Sequence, residues 1–354
     1  MFRGAEVAWG ATESEQRAAA QALDTRDDDR SLTFVIPVFR SGDHLGGCLA
    51  AVDAARREHD RLIVVFDGDS TVGDLEVARR YGADVIQLPE NRGPAAARNA
   101  AAREAATDAL FLVDVDVRIQ SAAVERAQRN LASGADAVVG AYTPLPTGRG
   151  LLTVLKNVQH SFTHTASAGP IASFWSGCAA VMLEAYIAVG GMDEDLRHCE
   201  DIALGAKLHR AGYHIVLDPS VAGEHAKSYR LHTWAHSELV GRAFPWSLLL
   251  LEGRAVPRQL NTARRGALGV VLAYVVGVSL VIALVHASAL IGVSSGLAGI
   301  ALSHRRLLAF TARHAGWGRA LAMVAMLLGH FLLGGLGAFA ALLRTRGKRL
   351  VRLG

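Results

Sequence analysis

Cysteine is scarce in this chain: three residues, Cys48, Cys178 and Cys199, in 354. None stands at zinc-finger spacing, and the count is odd. Cys48 falls on the apolar side of a predicted helix, as a core thiol in a reducing compartment would. Aromatic residues make up only 6%, too few for a stacking platform on single-stranded nucleic acid, so no nucleic-acid partner is expected. No Gly-X-Gly-X-X-Gly turn follows the first strand, which argues against an NAD enzyme. His160, His164, His198, His209, His214, His286 and His330 lack ligand spacing and read as surface or satisfied core histidines. No signal peptide opens the chain. Residues 1–30 are Ala-rich and charged and read as a disordered lead-in with a short helix around Glu13–Leu23.

What the chain does have is apolar content, 51%, unevenly spread. Residues before about Arg265 read as a soluble domain and those after it as membrane segments. The net charge of +4 is concentrated beside the apolar C-terminal stretches, where it reads as membrane flanking.

The soluble part alternates strands and helices. Leu32–Ile36 is a buried strand ended by Pro37, and Asp43 stands where it can cap the next helix. Leu62–Phe66 is a second strand, Leu75–Tyr81 a helix closed by Gly82, and Val85–Leu88 a third strand. Pro94–Ala106 is a helix with proline at its first position. Ala109–Val113 and Ala137–Ala141 follow as strands. This pitch indicates an α/β fold with a mostly parallel central sheet. Further on, Ser176–Leu183 reads as a strand, Glu200–Ala211 as a helix, and Tyr213–Leu217 as a strand.

Residues 231–265 mix Trp234, Phe244 and Trp246 with His232, His236 and Arg242, as an interfacial amphipathic segment does. Residues 266–354 form the membrane region. Ala267–Ser303 holds one ionisable side chain, His286, and fits two spans with a turn near His286–Ser288. Ala320–Leu343 is a third apolar stretch, followed by a basic tail. Three crossings are preferred, although they put the tail on the far side, against the positive-inside tendency. Two crossings would return the tail but expose the Arg305–Arg319 loop.

Four signals carry chemistry. Pro37-Val38-Phe39 leads out of the first strand, and Asp67 follows the second, where a carboxylate can accept from a base or ribose donor. Asn91-Arg92-Gly93-Pro94 opens a helix whose free amides favour anions, with Arg98 one turn in. Asp114-Val115-Asp116 closes the Ala109–Val113 strand; in an extended chain both carboxylates would face one way and reach one divalent metal. Glu200-Asp201 begins a helix and could supply a general base.

Together these motifs resemble glycosyltransferase family 2, the inverting group with the GT-A fold, over roughly Leu32 to Trp246. Phe66-Asp67-Gly68-Asp69-Ser70 departs from the family's Asp-Asp-Gly-Ser turn but keeps Asp67. Asn91, Gly93, Ala97, Arg98 and Asn99 match the Asn-X-Gly…Ala-Arg-Asn motif, and Gly190–Glu194 with Glu200-Asp201 match the acceptor-side signature. The resemblance implies a GT-A catalytic domain over residues 31–230. Its nucleotide-sugar donor would be bound by Pro37, Val38, Asp67, Asn91, Gly93, Arg98 and Asp114. Mg²⁺ or Mn²⁺ would sit on Asp114, Asp116 and His225. Asp201 would be the base, supported by Glu200. Trp175, Gly177, Lys227, Arg230 and Arg242 would contact acceptor or phosphate. Arg242–Trp246 weakly resembles the Gln-X-X-Arg-Trp motif of processive members, but Leu239 holds the Gln place. A single transfer to a lipid or lipid-linked acceptor is therefore the expected reaction, in a multi-pass inner-membrane protein with a cytoplasmic catalytic domain. The alternatives are a sugar-nucleotide-forming nucleotidyltransferase, against which Pro37–Gly42 lacks the Gly-rich, Arg-containing loop, and a non-catalytic membrane scaffold.

Overall fold

The computed structural model describes residues 30–148, 150–256 and 264–351. The lead-in expected before Arg30 and the last residues of the basic tail lie outside them.

Strands β1 (Leu32–Val38), β2 (Arg61–Asp67), β3 (Asp84–Leu88) and β4 (Ala109–Val113) pair in parallel in the order β3-β2-β1-β4. Every residue of β4 is buried, because helices cover both faces of the sheet. Phe34, Phe66 and Phe111 pack on one side with helix α1 (His44–Asp53). Val35, Ile63 and Leu112 pack on the other with alanines of α3 (Pro94–Glu104). Between them, α2 (Val72–Arg80) starts three residues earlier than the apolar spacing predicts. Thr71 and Asp74 close a reciprocal capping box there, which pins the first turn. Asp43 stands at the N-cap of α1 but its side chain makes no capping hydrogen bond. Gly82 ends α2 in a left-handed conformation, as expected.

The second half is mixed. β8 (Cys178–Met182) runs antiparallel between β4 and β6 (Ala137–Tyr142), and β6 pairs in parallel with β9. β9 spans Ile215–His225, well beyond the expected Leu217, because its later part pairs with β5 (Val117–Ile119); β7 (Gly169–Ile171) pairs with its first three residues. Three helices that the apolar spacing left unread, α4 (Ala123–Ala132), α5 (Leu151–Thr165) and the short α6 (Leu183–Ala188), cover this half. Helix α7 (Glu200–Arg210) packs Leu204 and Leu208 onto the same face as α3.

Helix α8 (Leu231–Glu238) runs through a π-helical turn, Leu239–Ala243, into α9 (Phe244–Leu251). Trp234 and Leu249 are buried, so this segment is partly core. α10 (Arg264–Ala283) and α11 (Leu290–Ser303) form a hairpin around a short 3₁₀ turn, Ala287–Ala289, near the turn expected at His286–Ser288. α12 (Arg305–Ala315) and the long α13 (Trp317–Val351) follow. α10 and α13 are long and apolar enough to cross a membrane. The α11–α12 pair would add a third only as one span bent by 73°.

Candidate active site

The carboxyl ends of β1, β2 and β4 open into a cleft of about 790 Å³, the position at which open α/β sheets bind ligands. Pro37, Val38, Asp67, Asn91, Gly93, Arg98, Asp114, Asp116, Trp175, Gly177, Glu200, Asp201, His225, Lys227 and Arg242 all line it. Arg230 does not. It stands at the N-cap of α8, its backbone N–H donating to Thr233 Oγ1 at 2.9 Å, because the chain leaves the cleft at that point.

The two aspartates reach the cleft by a different geometry from strand alternation. The chain turns at Asp114: its carbonyl accepts from Val117 N–H at 2.8 Å, and its own N–H donates to the Gly177 carbonyl at 3.2 Å. β5 then pairs Val117 opposite His225, and Ala226 N–H donates to the Asp116 carbonyl at 2.7 Å. This pairing sets His225 Nε2 3.7 Å from Asp116 Oδ2. Burial would raise the Asp116 carboxyl, but the neighbouring His225, with the charge of Lys227, outweighs it and holds the pKa at about 2.

Arg98 is nearly fully buried and forks between two acids, Nη2 to Asp114 Oδ1 at 2.5 Å and Nη1 to Glu200 Oε1 at 2.9 Å. Its guanidinium is thus engaged with protein carboxylates. The next residue, Asn99, holds the Gly190–Glu194 turn through Met192 and Glu194, with Tyr186 donating to it at 2.6 Å. Asp67 accepts from the Arg92 and Gly93 amides at 2.7 and 2.8 Å, so it fixes the turn that begins α3. Asn91 Oδ1 accepts from Arg197 at 2.9 Å.

Cys199 precedes α7 in a left-handed conformation with φ 60°. A non-glycine residue there stores about 1–3 kcal/mol of strain. Glu200 and Asp201 begin the helix immediately after it and line the cleft. Burial, then the charge of Asp201, lifts the Glu200 carboxyl to about 7 against the pull of Arg98. Burial also raises Asp201, opposed by Arg98 and by the Ile202 and Ser176 amides that donate to it at 2.8 and 3.3 Å. A buried carboxylate whose proton affinity is raised is suited to general-base work.

Tyr142, His160 and His164 are among the cleft residues that were not singled out as site residues from the sequence. Tyr142 stacks on His225 with centroids 4.6 Å apart and planes 6° from parallel. His164 stacks on Trp175 at 3.9 Å, and His160 lies 6.1 Å from His225. Burial lowers His160 and His164, the latter to about 3, so both are neutral. Their i, i+4 spacing on an unread helix was the one signal that could have put them on a common face.

Among the described residues no three His, Cys, Asp or Glu side chains form a complete metal cage. Asp116 and His225 provide one oxygen and one nitrogen ligand, a pair that fits a divalent ion completing its shell with phosphate oxygens and water.

Residues 33–189 match the family model described as glycosyl transferase family 2. Poly-beta-1,6-N-acetyl-D-glucosamine synthase of Staphylococcus aureus (strain MSSA476) is 28% identical over 206 residues, covering 54% of this chain and 49% of the relative. Succinoglycan biosynthesis protein ExoA of Rhizobium meliloti (strain 1021) is 32% identical over 203 residues, covering 52% and 60%. The chain thus aligns with about half the length of the curated relatives it matches. Among solved structures, the mannosyltransferase PcManGT from Pyrobaculum calidifontis, in complex with GDP-Man and Mn²⁺, superposes with a TM-score of 0.56 at 20% identity. It covers 90% of this chain and 93% of its own. That likeness is one of fold, and the fold is the GT-A-like α/β architecture that the motifs imply.

Proposed function

From the match of residues 33–189 to the glycosyl transferase family 2 model, we propose that this chain is a member of that family and moves a sugar, with inversion, from a nucleotide-sugar donor to a hydroxyl of a lipid or lipid-linked acceptor. The observation that carries this reading is the pairing of two acidic walls in one cleft: Asp116 with His225 on one side, Glu200 and Asp201 on the other.

The donor's nucleoside part lies against Pro37, Val38 and Asp67, and its diphosphate faces Asp116 and His225. Asp116 and His225 would hold a divalent ion, and the chemistry it would supply is neutralisation of negative charge on the departing diphosphate. Asp114, held by Arg98, faces the ribose edge. Asp201 takes the proton from the acceptor hydroxyl as it attacks the anomeric carbon opposite the leaving group. Glu200 shares Arg98 with Asp114, so the guanidinium ties the donor wall to the base wall. Lys227 and Arg242 offer charge-assisted contacts to phosphate at the cleft rim.

The lipid acceptor is supported by position. Arg242 and Trp246 line the cleft and belong to the same segment that packs against α13. Leu239, in place of the Gln of processive members, supports single transfer. In this reading the chain is attached to the inner membrane with its catalytic domain cytoplasmic.

The test is transfer of labelled sugar from UDP-, GDP- and dTDP-sugars with Mn²⁺ into a membrane lipid extract. One donor class should label the lipid. Asp201→Asn and Asp116→Ala should each lose transfer, and retained transfer in either would sink its assigned role.

A further inference from the structure

We infer that α13 lies along the membrane surface beneath the catalytic domain instead of crossing the bilayer, while the α10–α11 hairpin dips into the near leaflet. The catalytic domain, α12 and Arg344–Arg346 then all face one aqueous side. The inference rests on the membrane attachment proposed above and is independent of the reaction.

Four observations carry it. First, α13 runs along the catalytic domain and then along the interfacial segment that follows it. Met323, Leu327 and Phe331 share one buried cluster with Val154 and Val158 of α5 and with Trp234 of α8. Gly337 sits so close to the backbone of the π-turn and α9 that an added Cβ would lie 2.7 Å from Phe244 N. Arg344 reaches over the Phe244 ring at 5.8 Å. Met323 to Arg344 is roughly 30 Å of helix, the whole thickness of the hydrocarbon layer. A helix standing across the bilayer would touch a surface-bound domain only at one end.

Second, His330 is near the centre of the apolar stretch Trp317–Arg346, and its Nδ1 lies 2.5 Å from Glu238 Oε2. Glu238 is also 2.5 Å from Lys156 Nζ, and Arg242 follows one helical turn later. If α13 crossed the bilayer, this charged group would sit at its midplane. Arg242 lines the cleft that has to admit a charged, water-soluble nucleotide, and burying such a group in lipid is costly.

Third, α10 leaves α13 at a steep angle. Gly269 meets Phe331, Tyr274 meets Gly335 and Gly277 meets Leu332. α10 thus advances eight positions while its partners on α13 stay within four. Beyond this crossing Val278, Val281, Leu284, Val285, Leu290 and Ile291 are exposed. Such an uncovered apolar tip belongs in lipid. α10 ends at Ala283, so Gly277 to Ala283 is only about 9 Å of helix, less than half of what a crossing needs.

Fourth, charge agrees. No Asp, Glu, Lys or Arg lies between Arg265 and Arg305. α12 returns to the catalytic domain, where Phe310 meets Phe162 of α5 at 5.5 Å. Arg305, Arg306, Arg313, Arg344 and Arg346 are exposed, and an in-plane α13 leaves them all on the side of the catalytic domain, as anionic headgroups and the positive-inside tendency favour. The outer stripe of α13, with Leu321, Leu336, Phe339 and Leu343 exposed, is left for the acyl chains.

The test uses full-length protein in sealed inner-membrane vesicles with a membrane-impermeant maleimide. Single cysteines replace exposed residues: Glu76→Cys in the catalytic domain, Gly318→Cys before α13's apolar stretch, Arg346→Cys after it and Ser288→Cys at the hairpin tip. The first three should label from the same side, and Ser288→Cys from neither side until detergent is added. Labelling of Arg346→Cys only from the side opposite Glu76→Cys would overturn the in-plane helix. Labelling of Ser288→Cys from that opposite side would overturn the dip. Trypsin cleavage after Arg346 in the unsubstituted protein gives the same answer without mutation. Recovery of the protein in the soluble fraction would instead overturn membrane attachment itself.

Discussion

Arg98 and Asp114 are joined by a 2.5 Å hydrogen bond that ties helix α3 to the end of strand β4. The same guanidinium holds Glu200 at 2.9 Å, so one buried cation neutralises acids on both walls of the cleft. Removing it leaves carboxylates in a site where burial already disfavours their charged forms.

Arg98→Ala should therefore destabilise the catalytic domain by about 3–5 kcal/mol, as loss of one partner of a buried pair does. Arg98→Lys should recover only part of this, because an ammonium cannot fork to two acids. Thermal unfolding of detergent-purified variants checks both. An unchanged midpoint in Arg98→Ala would refute the structural role.

Glu200 binds its proton more tightly in the folded protein, with a pKa of about 7 against an ordinary 4.5. Its stabilising contribution is full below pH 4.5 and fades as pH rises through 7. Unfolding midpoints should fall across that window in the unaltered protein and fall less in Glu200→Gln. Asp201 is raised as well, so kcat/KM should climb with pH along an acid limb above the usual carboxylate range. That limb should persist in Glu200→Gln. Its disappearance there would transfer the base role to Glu200.

Donor binding should depend on the divalent ion. A nucleotide-sugar at about 100 times its Kd stabilises its host by about 2.7 kcal/mol. The corresponding thermal shift should appear with Mn²⁺, vanish with chelator and be lost in Asp116→Asn. It should survive in Asp201→Asn, because the role proposed for Asp201 is on the acceptor. A shift unaffected by chelator would remove the metal from the donor site.

Gly177 is where the cleft tolerates no side chain. An added Cβ would lie 2.1 Å from Tyr142 Oη and 3.2 Å from Asp114 Oδ2. Tyr142 is stacked on His225 and cannot give way freely, so Gly177→Ala should move the Asp114–His225 wall. A displacement near 1 Å costs about 100-fold in rate. Steady-state kcat at saturating Mn²⁺ measures it, and an unaltered kcat would show that this wall does not set the reacting geometry.

Much of the site was legible because its residues stand at strand ends and helix starts, and those are local events. Apolar runs end at Asp67 and Asp114, and Pro94 and Glu200 open helices, whereas β1 runs on through the expected stop at Pro37 to Val38, paired with β2. What local pattern could not reveal is pairing at a distance. Arg98 meets Glu200 across 102 positions, and β5 brings Asp116 to His225 through a register set by sheet pairing. Helix α5 was unread because charged and polar side chains such as Lys156 and His160 are buried on it, which breaks the apolar periodicity.

The Asp-X-Asp expectation of two carboxylates facing one way was replaced by a turn, since Asp114 leaves the strand to bond Val117. The sequence alone determined the α/β class, the acidic residues at the sheet edge and the concentration of apolar residues toward the C-terminus. Hydropathy could not orient that tail, because a long apolar helix has the same composition lying on a membrane as crossing it. Only the tertiary structure decided which carboxylates share a cation and which aromatic rings back His225, because those depend on contacts between distant segments. It also presses α13 against α5, α8 and α9, the contact from which its orientation was inferred.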